Sequence, residues 1–532
     1  MKAGGHWQSN KSRQKDDKAV EHSYIKEDIF MKTKNALISS SLGVVNTSIR
    51  LIVSLAMRRV FLLYFSAEYL GMYFLFDSIF GMLIALDCGI SSTLFFKIYK
   101  PIEENNILSI RSVFALIKLI YSLRALLVAF IGFLIYFFLP LLVKDNALPL
   151  LYIKKCYFIY LVCNAANYFV IFYQFFLEAV QKRYYVTLIE IPLFLIEVVF
   201  QFLSIIFFHS YEVYLLVTVG TNVIINLGCS ILVYVKYPYL RGRKTIQIED
   251  RKDIGKLFKM AFHTFSNTIS HYIDTFLISI FEGITNTGLY SNYKTINNSI
   301  NTFIYQITSS IKDPLRSIVA SEDKEKIKIS ISNLSFLMFW IGGFCCICLS
   351  GLSNKFIALW LDESYLLPIP AVVMTALVLY LSVQNFFLVD TYYSTYSYLG
   401  DRKSPLLEIS TNLFISLILG KFWGITGIMT GTLCYYIVQT YLRTKKLCAS
   451  FLDLCFLRKI LQRLLFYFLI IFVFSFSIAC INSAHCFTNK FLDFILFTVC
   501  TVVLPNIVFY IFFRKTAEFS YFISVFQSIL RK

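Results

Sequence analysis

The sequence predicts an all-α integral membrane protein of about fourteen transmembrane helices, on three observations. Of 532 residues, 57% are hydrophobic and only 15% charged, and mean hydropathy is +0.66, apolar usage well beyond that of soluble domains. Apolar runs able to cross a ~30 Å hydrocarbon core at ~1.5 Å per residue recur along the whole chain. Basic residues collect in alternate connectors between those runs, the charge bias of a multi-pass protein.

In order, the expected spans are 36–57, 69–96, 113–139, 156–177, 185–208, 212–235, 257–281, 288–311, 330–352, 370–396, 405–420, 424–441, 461–482 and 491–513. The last holds one acid, Asp493. With the N-terminus in the cytoplasm, cytoplasmic segments hold 36 of the 50 Lys and Arg, outer connectors 8 and spans the other 6. The net charge of +18 then reports topology, with both termini cytoplasmic, and not nucleic-acid binding.

The expected organisation is a disordered cytoplasmic tail over 1–35, an N-lobe of six spans over 36–235, a basic linker over 236–256 with Pro238 and Gly242, a C-lobe of six spans over 257–441, two further spans within 442–515, and an amphipathic tail over 516–532. In that last tail Phe519, Phe522, Ile523, Phe526 and Ile529 recur at helical spacing, as in a helix lying along the inner leaflet or packed on the bundle. The first apolar run contains Arg50, which argues against a cleaved signal peptide. The 13 cysteines show no paired metal spacing and read as reduced core residues. No metal, cofactor or catalytic residue is expected.

Polar and ionisable residues inside spans carry the functional information, because a bilayer cannot satisfy them. At 100° per residue, His263, Ser266, Asn267, Ser270, His271 and Asp274 fall within an arc of about 140° on span seven, either a hydrogen-bond network between helices or the wall of a hydrated cavity. Span eight is polar on two faces, one with Asn292, Thr295, Ser299, Thr302 and Gln306, the other with Lys294, Asn297, Asn298 and Asn301. Span one aligns Ser39, Gly43, Asn46, Arg50 and Ser54. Arg50 lies ~21 Å from the cytoplasmic end and Asp77 on span two lies ~12 Å from the outer end, a depth at which the two can pair. Glu190, Glu197, Gln201 and Ser204 share one side of span five, and Glu197 can reach Arg124 of span three. Arg50 and Arg124 are read as the arginines well inside spans. Asp77, Asp87, Glu197, Asp274 and Asp390 are candidates for ion coupling or gating, since carboxylates that take up and release protons can link transport to a gradient.

Two short strings recur: NTSIR from Asn46 with GMYFLFDSI from Gly71, and NTISH from Asn267 with GLYSNYKTI from Gly288. Such a repeat fits two lobes around a central cleft.

Three stretches carry a family resemblance. They are EYLGMYFLFDSIFGMLIALDCGISSTLFFKIYKPIEENN from Glu68 to Asn106, HYIDTFLISIFEGITNTGLYSNYKTI from His271 to Ile296, and PLLEISTNLFISLILGKFWGITGIMTGT from Pro405 to Thr432. In their order and spacing the chain resembles the Wzx-type polysaccharide (O-antigen) flippases of the multidrug/oligosaccharidyl-lipid/polysaccharide (MOP) exporter superfamily. The resemblance implies a MATE-like fold with two six-helix lobes around a cavity plus two extra C-terminal helices. It also implies export of undecaprenyl-diphosphate-linked oligosaccharide repeat units across the bacterial cytoplasmic (inner) membrane by alternating access, for lipopolysaccharide or capsule. A proton or sodium gradient is the expected driving force, and the expected partners are the lipid-linked glycan, membrane lipids and polysaccharide polymerase machinery, with no nucleic acid. A cationic cavity suits a diphosphate, whose oxygens Arg binds in bidentate fashion. Substrate-binding candidates are therefore Arg50 and Arg124, with Asn46, Asn267, His271 and Asn292.

A small-molecule or drug exporter of the same superfamily is the alternative, because fold does not fix cargo. An integral membrane polymerase or acyltransferase is disfavoured by the short outer connectors and by the lack of an HExxH string, a cysteine pair or an acidic metal cluster.

Overall fold

In the computed structural model, the described residues are 38–39, 41–85, 90–104, 106–143, 147–241, 251–309, 311–320, 323–394, 401, 403–482 and 490–530. The tail over 1–35, Asp87 and the middle of the linker, 242–250, lie outside them. All regular structure among these residues is helical. The first helix, α1, runs over 41–64. It is followed by α2 (Ala67–Ala85), α3 (Ile90–Glu103), α4 (Ile107–Leu142), α5 (Leu150–Tyr168), α6 (Phe172–Ala179), α7 (Arg183–Ile206) and α8 (Tyr211–Lys236). Then come α9 (Arg251–Ser309), α10 (Lys312–Ala320), α11 (Lys324–Trp360), α12 (Ile369–Ser394), α13 (Lys403–Phe451), α14 (Leu454–Asn482), α15 (Lys490–Phe513) and α16 (Ala517–Leu530). Polar caps start several of them: Ser210 accepts from the Val213 amide at 3.5 Å and Asp323 from that of Lys326 at 3.2 Å, satisfying donors that a helix leaves open.

Among the described residues ten helices are long and apolar enough to cross a membrane. Two of the long helices are hairpins. At Gly283 φ is 85° and at Gly424 it is 55°, left-handed values that glycine alone adopts freely. Beyond each turn the chain runs back along itself. In α9, Lys294 reaches Thr275 and the carbonyl of His271; in α13, Ser416 donates to the Ile428 carbonyl and Asn412 to Thr432. The two arms of α9, the two arms of α13 and α1 lie where five of the fourteen expected spans fall. Phe130, Phe207 and Phe422 are 62%, 72% and 74% exposed, surface that only a lipid solvent covers without cost.

The chain divides into two compact units, one of Met1–Val60, Ser91–Ala129 and Ile159–Ile248, the other of Phe61–Ile90, Phe130–Phe158 and Glu249–Lys532. In the first, α7 and α8 pack as an antiparallel pair joined by Gln201 and Thr218 at 3.0 Å. In the second, α2 crosses α9 at a point where neither backbone has a side chain in the way. A methyl group on Gly71 would lie 1.7 Å from the Ile284 carbonyl oxygen, and one on Gly288 would lie 2.0 Å from that of Ala67. Beside this crossing Thr285 donates to Glu68 at 3.3 Å.

The last three helices are held by α11. Phe339 stacks on Tyr467 at 4.2 Å and packs against Phe509. Trp340 donates to Asn506 at 3.0 Å, and the half-buried Lys355 pairs with the buried Asp493. Of the apolar positions in the tail, Phe519 stacks on Trp340 and Phe522 on Phe336.

Candidate functional site

Each unit holds a polar cluster at membrane depth. In the first unit the cluster grows from α1, where Asn46 and Arg50 are one turn apart on the same face. Arg50 Nε donates to Asn46 Oδ1 at 3.1 Å, and Asn46 Nδ2 donates to Glu190 Oε2 on α7 at 2.9 Å. The guanidinium lies 4.5 Å over the Phe194 ring, a contact worth more where water is excluded. One further stretch along α7, Gln201 bridges Glu197 at 2.9 Å and Thr218 at 3.0 Å. Glu197 and Arg124, which the sequence suggested as partners, are each engaged elsewhere: Glu197 by Gln201, and Arg124 by the rings of Tyr168 and Tyr121 at 4.9 and 5.6 Å. A flat cation stacks on aromatic faces with little loss of solvation, which favours the tyrosines over a carboxylate across the helix packing.

In the second unit the cluster forms around the α9 hairpin. Lys294 is buried, 9% exposed, and donates to Thr275 Oγ1 at 2.8 Å and to the His271 carbonyl at 3.1 Å. The carboxylates whose charge acts on it are Asp77 of α2 and Asp274 of α9. Asp274 accepts from Thr432 at 2.6 Å. Asn292 is fully buried. Asn267 accepts from Tyr435 at 2.9 Å, and the chain continues through Gln439 to Glu408 and to Arg443, 3.1 Å from Glu408. Asp390 lies 3.3 Å from Lys312. A cavity of about 80 Å³, with Ser270, His271, Asp274, Lys294, Asn298 and Asn301 in its wall, has room for several waters. The polar stripe of span seven is thus both things the sequence allowed. Asn267 belongs to a network between helices, while Ser270, His271 and Asp274 face a cavity.

Two residues escaped the sequence reading. Arg443 was counted as a connector cation and Arg50 and Arg124 as the arginines inside spans, but Arg443 is fully buried within α13. That helix runs on to Phe451, so the basic residues after 441 begin inside it. Lys294 was placed on a polar face but not at a site. A signal was available, because Lys294 follows Gly288 by the same six residues that separate Asp77 from Gly71. Among the described residues no three His, Cys, Asp or Glu side chains are placed to hold a metal ion.

Among the described residues, ten helices long and apolar enough to cross a membrane, two glycine-turned hairpins and polar clusters at membrane depth define a multi-pass helical membrane fold. Solved structures agree. An inward-facing multidrug resistance MATE family transporter of the MOP superfamily aligns with TM-score 0.57 and 12% identity over 75% of this chain and 94% of its own. An outward-facing one aligns with TM-score 0.53 and 14% identity over 79% and 96%. The lipid II flippase MurJ, in an inward closed conformation, aligns with TM-score 0.55 and 16% identity over 90% of this chain and 99% of its own. A search of curated proteins finds no match. The sequence pattern described as "Polysaccharide biosynthesis protein" matches residues 33–311, just over half of the chain. The chain belongs to the polysaccharide biosynthesis protein family, and its fold is that of the MATE and MurJ structures.

Proposed function

We propose that the protein flips an undecaprenyl-diphosphate-linked oligosaccharide repeat unit across the bacterial cytoplasmic membrane for surface polysaccharide synthesis. The observation that carries this reading is the combination of a polysaccharide biosynthesis sequence with a fold that aligns to a lipid-linked-substrate flippase over 90% of the chain. The alignments to the two multidrug transporters quoted above cover 75% and 79% of it.

In this reading the basic ends of the helices face the cytoplasm, and the lobes 36–235 and 257–441 rock against one another to alternate access. The headgroup passes through the interior while the lipid tail stays in the bilayer. Arg50, braced by Asn46 and Glu190, and Arg124, presented on two tyrosine rings, bind the diphosphate. Asn267, His271 and Asn292 are the further substrate-binding residues on the same expectation. Asp77, Asp274, Glu197 and Asp390 are the groups through which a proton or sodium gradient drives the cycle, with Asp87 on the same expectation.

Deleting the gene in its host and following lipid-linked intermediates tests the reading. Repeat units accumulating on the inner leaflet support it, and a normal surface glycan overturns it. With membrane abundance controlled, Arg50→Ala and Arg124→Ala are expected to lower export at least tenfold; full export by both removes the arginines from the site.

A further inference from the structure

One end of the first unit, cytoplasmic in the orientation proposed above, holds its cations by rings and carbonyls. Three segments meet there: the start of α4, the turn between α6 and α7, and the end of α8 with the short 3-10 helix Pro238–Arg241. Arg111 donates to the Tyr239 carbonyl, Lys236 to the Tyr185 hydroxyl, and Arg241 to the Tyr234 carbonyl at 2.6 and 3.0 Å. Lys182 lies 5.6 Å over the Tyr237 ring. Such contacts fix a cation in place without cancelling its charge.

The cations at the same level of the second unit are held by acids. Lys328 meets Asp453, Lys446 meets Asp401 and Arg463 meets Glu518. In the first unit, by contrast, 107–118, 173–189 and 230–241 hold six Lys and Arg against one acid, Glu178, and Arg183 takes that acid at 2.7 Å. A fixed positive charge is left open to an anion. Beside it the surface turns apolar: Leu188 on α7 and Ile231 and Val235 on α8 are exposed, within about a turn and a half of Tyr185 and Lys236. The Lys236 to Tyr185 hydrogen bond sets these two stretches side by side.

Cations and tyrosines at the level of the headgroups, next to bare hydrocarbon surface, match an amphiphile with an anionic head. A free phosphate would use the cations alone. We infer that this collar binds an anionic phospholipid of the inner leaflet, its phosphodiester among Lys182, Lys236 and Arg241 and an acyl chain along Leu188, Ile231 and Val235. The site is separate from the arginines proposed for the diphosphate and holds whatever the cargo.

The test follows thermal unfolding of the full chain in an uncharged detergent as each probe is added, since a ligand of the folded state raises the melting temperature. The probes are dioleoyl phosphatidylglycerol, the phosphatidylcholine with the same chains, glycerol phosphate and undecaprenyl diphosphate. At low salt phosphatidylglycerol is expected to bind at least about tenfold more tightly than phosphatidylcholine, and to lose that preference at about 0.5 M salt, where charges are screened within a few Å. Glycerol phosphate is expected to leave the melting temperature unchanged. The triple variant Lys182→Gln/Lys236→Gln/Arg241→Gln should bring phosphatidylglycerol down to phosphatidylcholine and leave undecaprenyl diphosphate as it was. Lys182→Arg/Lys236→Arg, which keeps the charge, should retain the preference. As a control, Arg458→Gln/Lys459→Gln/Lys515→Gln removes as much charge from the second unit and should retain it too. A parent that treats the two phospholipids alike, or a preference that survives high salt or the triple variant, overturns the site; the salt comparison needs no variant to fold. Equal loss in the control variant also overturns it, by making the preference one of net charge. Glycerol phosphate binding as tightly as the lipid makes the collar a free-anion site, and loss of undecaprenyl diphosphate in the triple variant assigns it to the diphosphate; either result overturns the phospholipid.

Discussion

Gly71 and Gly288 face each other across the crossing of α2 and α9, and each leaves room for the carbonyl one turn before the other: Ile284 against Gly71, Ala67 against Gly288. The contact is reciprocal. Its two sides are the two strings that recur in the sequence, GMYFLFDSI and GLYSNYKTI, so repeated sequence has become a two-sided interface. Continuing in the same register sets Asp77 against Lys294, the opposite charges that interact in the second unit.

Adding a methyl group to either glycine forces the helices apart. Gly71→Ala and Gly288→Ala are each expected to cost about 1–3 kcal/mol by overpacking. The double variant should cost less than the sum, because the first methyl already opens the crossing for the second. Gly220→Ala is the control: nothing lies within 4 Å of the added methyl, and alanine improves helix propensity by up to about 1 kcal/mol. Thermal unfolding of the four variants and the parent in one detergent reads the comparison.

The pair Arg443–Glu408 is sealed, with side chains 1% and 0% exposed. Arg443→Ala leaves a carboxylate buried without its cation and is expected to destabilise by about 3–5 kcal/mol. Replacing both partners with apolar residues of similar size, Arg443→Met with Glu408→Leu, should recover most of that loss. The monodisperse fraction on size exclusion after a heat step ranks the three proteins. A single variant as stable as the parent would contradict the buried-pair assignment.

Acid reaches the fold through Asp401, in the connector before α13. Burial pushes its carboxyl up, but hydrogen bonds from Lys446, Tyr392 and Ser404 outweigh that and hold it at about 2, below an unfolded value near ~3.9. A depressed carboxyl contributes stability that is fully present above the unfolded value and is lost as pH falls through the folded one. The melting temperature should therefore drop between about pH 4 and pH 2, and the slope over that interval should shrink in Asp401→Asn. Asp453, held low by its hydrogen bond from Lys328, is exposed and adds a smaller step of the same sign.

The tail helix is anchored by rings. Phe519→Ala removes the stack on Trp340 from a half-buried site and is expected to cost about 1–2 kcal/mol, less than the full burial of a phenylalanine. Limited proteolysis after Phe513 should then cut the variant at a protease concentration that spares the parent. Equal resistance would show that α16 is held by other contacts.

Much of this architecture was legible because membrane helices announce themselves twice, by apolar length and by the charge of their connectors. The hairpin turns were legible in part: Gly283 and Gly424 stand between apolar runs, but only the backbone shows that the chain doubles back through them. The faces that form the first polar cluster were legible one helix at a time, Asn46 with Arg50 on α1 and Glu190 with Glu197 on α7, but the sequence set Arg50 against Asp77 and did not join the two faces. Spacing along one helix says nothing about which ring or amide the next presents, and the place of Arg124 over Tyr121 and Tyr168 was hidden for the same reason. Arg443 was missed on different grounds. In a run of basic residues after a span, nothing local separates the one that turns inward from those that stay in water, and its partner Glu408 lies 35 positions earlier.

The pair Lys355–Asp493 spans 138 positions of sequence, and that interval is also an interval of time. During synthesis α11 is complete long before α15 emerges, so the lysine at its far end must wait in the interfacial region, where a long basic side chain can reach water. Asp493 arrives at the leading end of an otherwise apolar helix, and an acid costs roughly 2.5–3.5 kcal/mol at the centre of an inserting span. A waiting ammonium lowers that cost at the moment it falls due. The final hairpin is thus an addition templated by a finished neighbour, and its insertion should lag whenever α11 is displaced or its lysine removed.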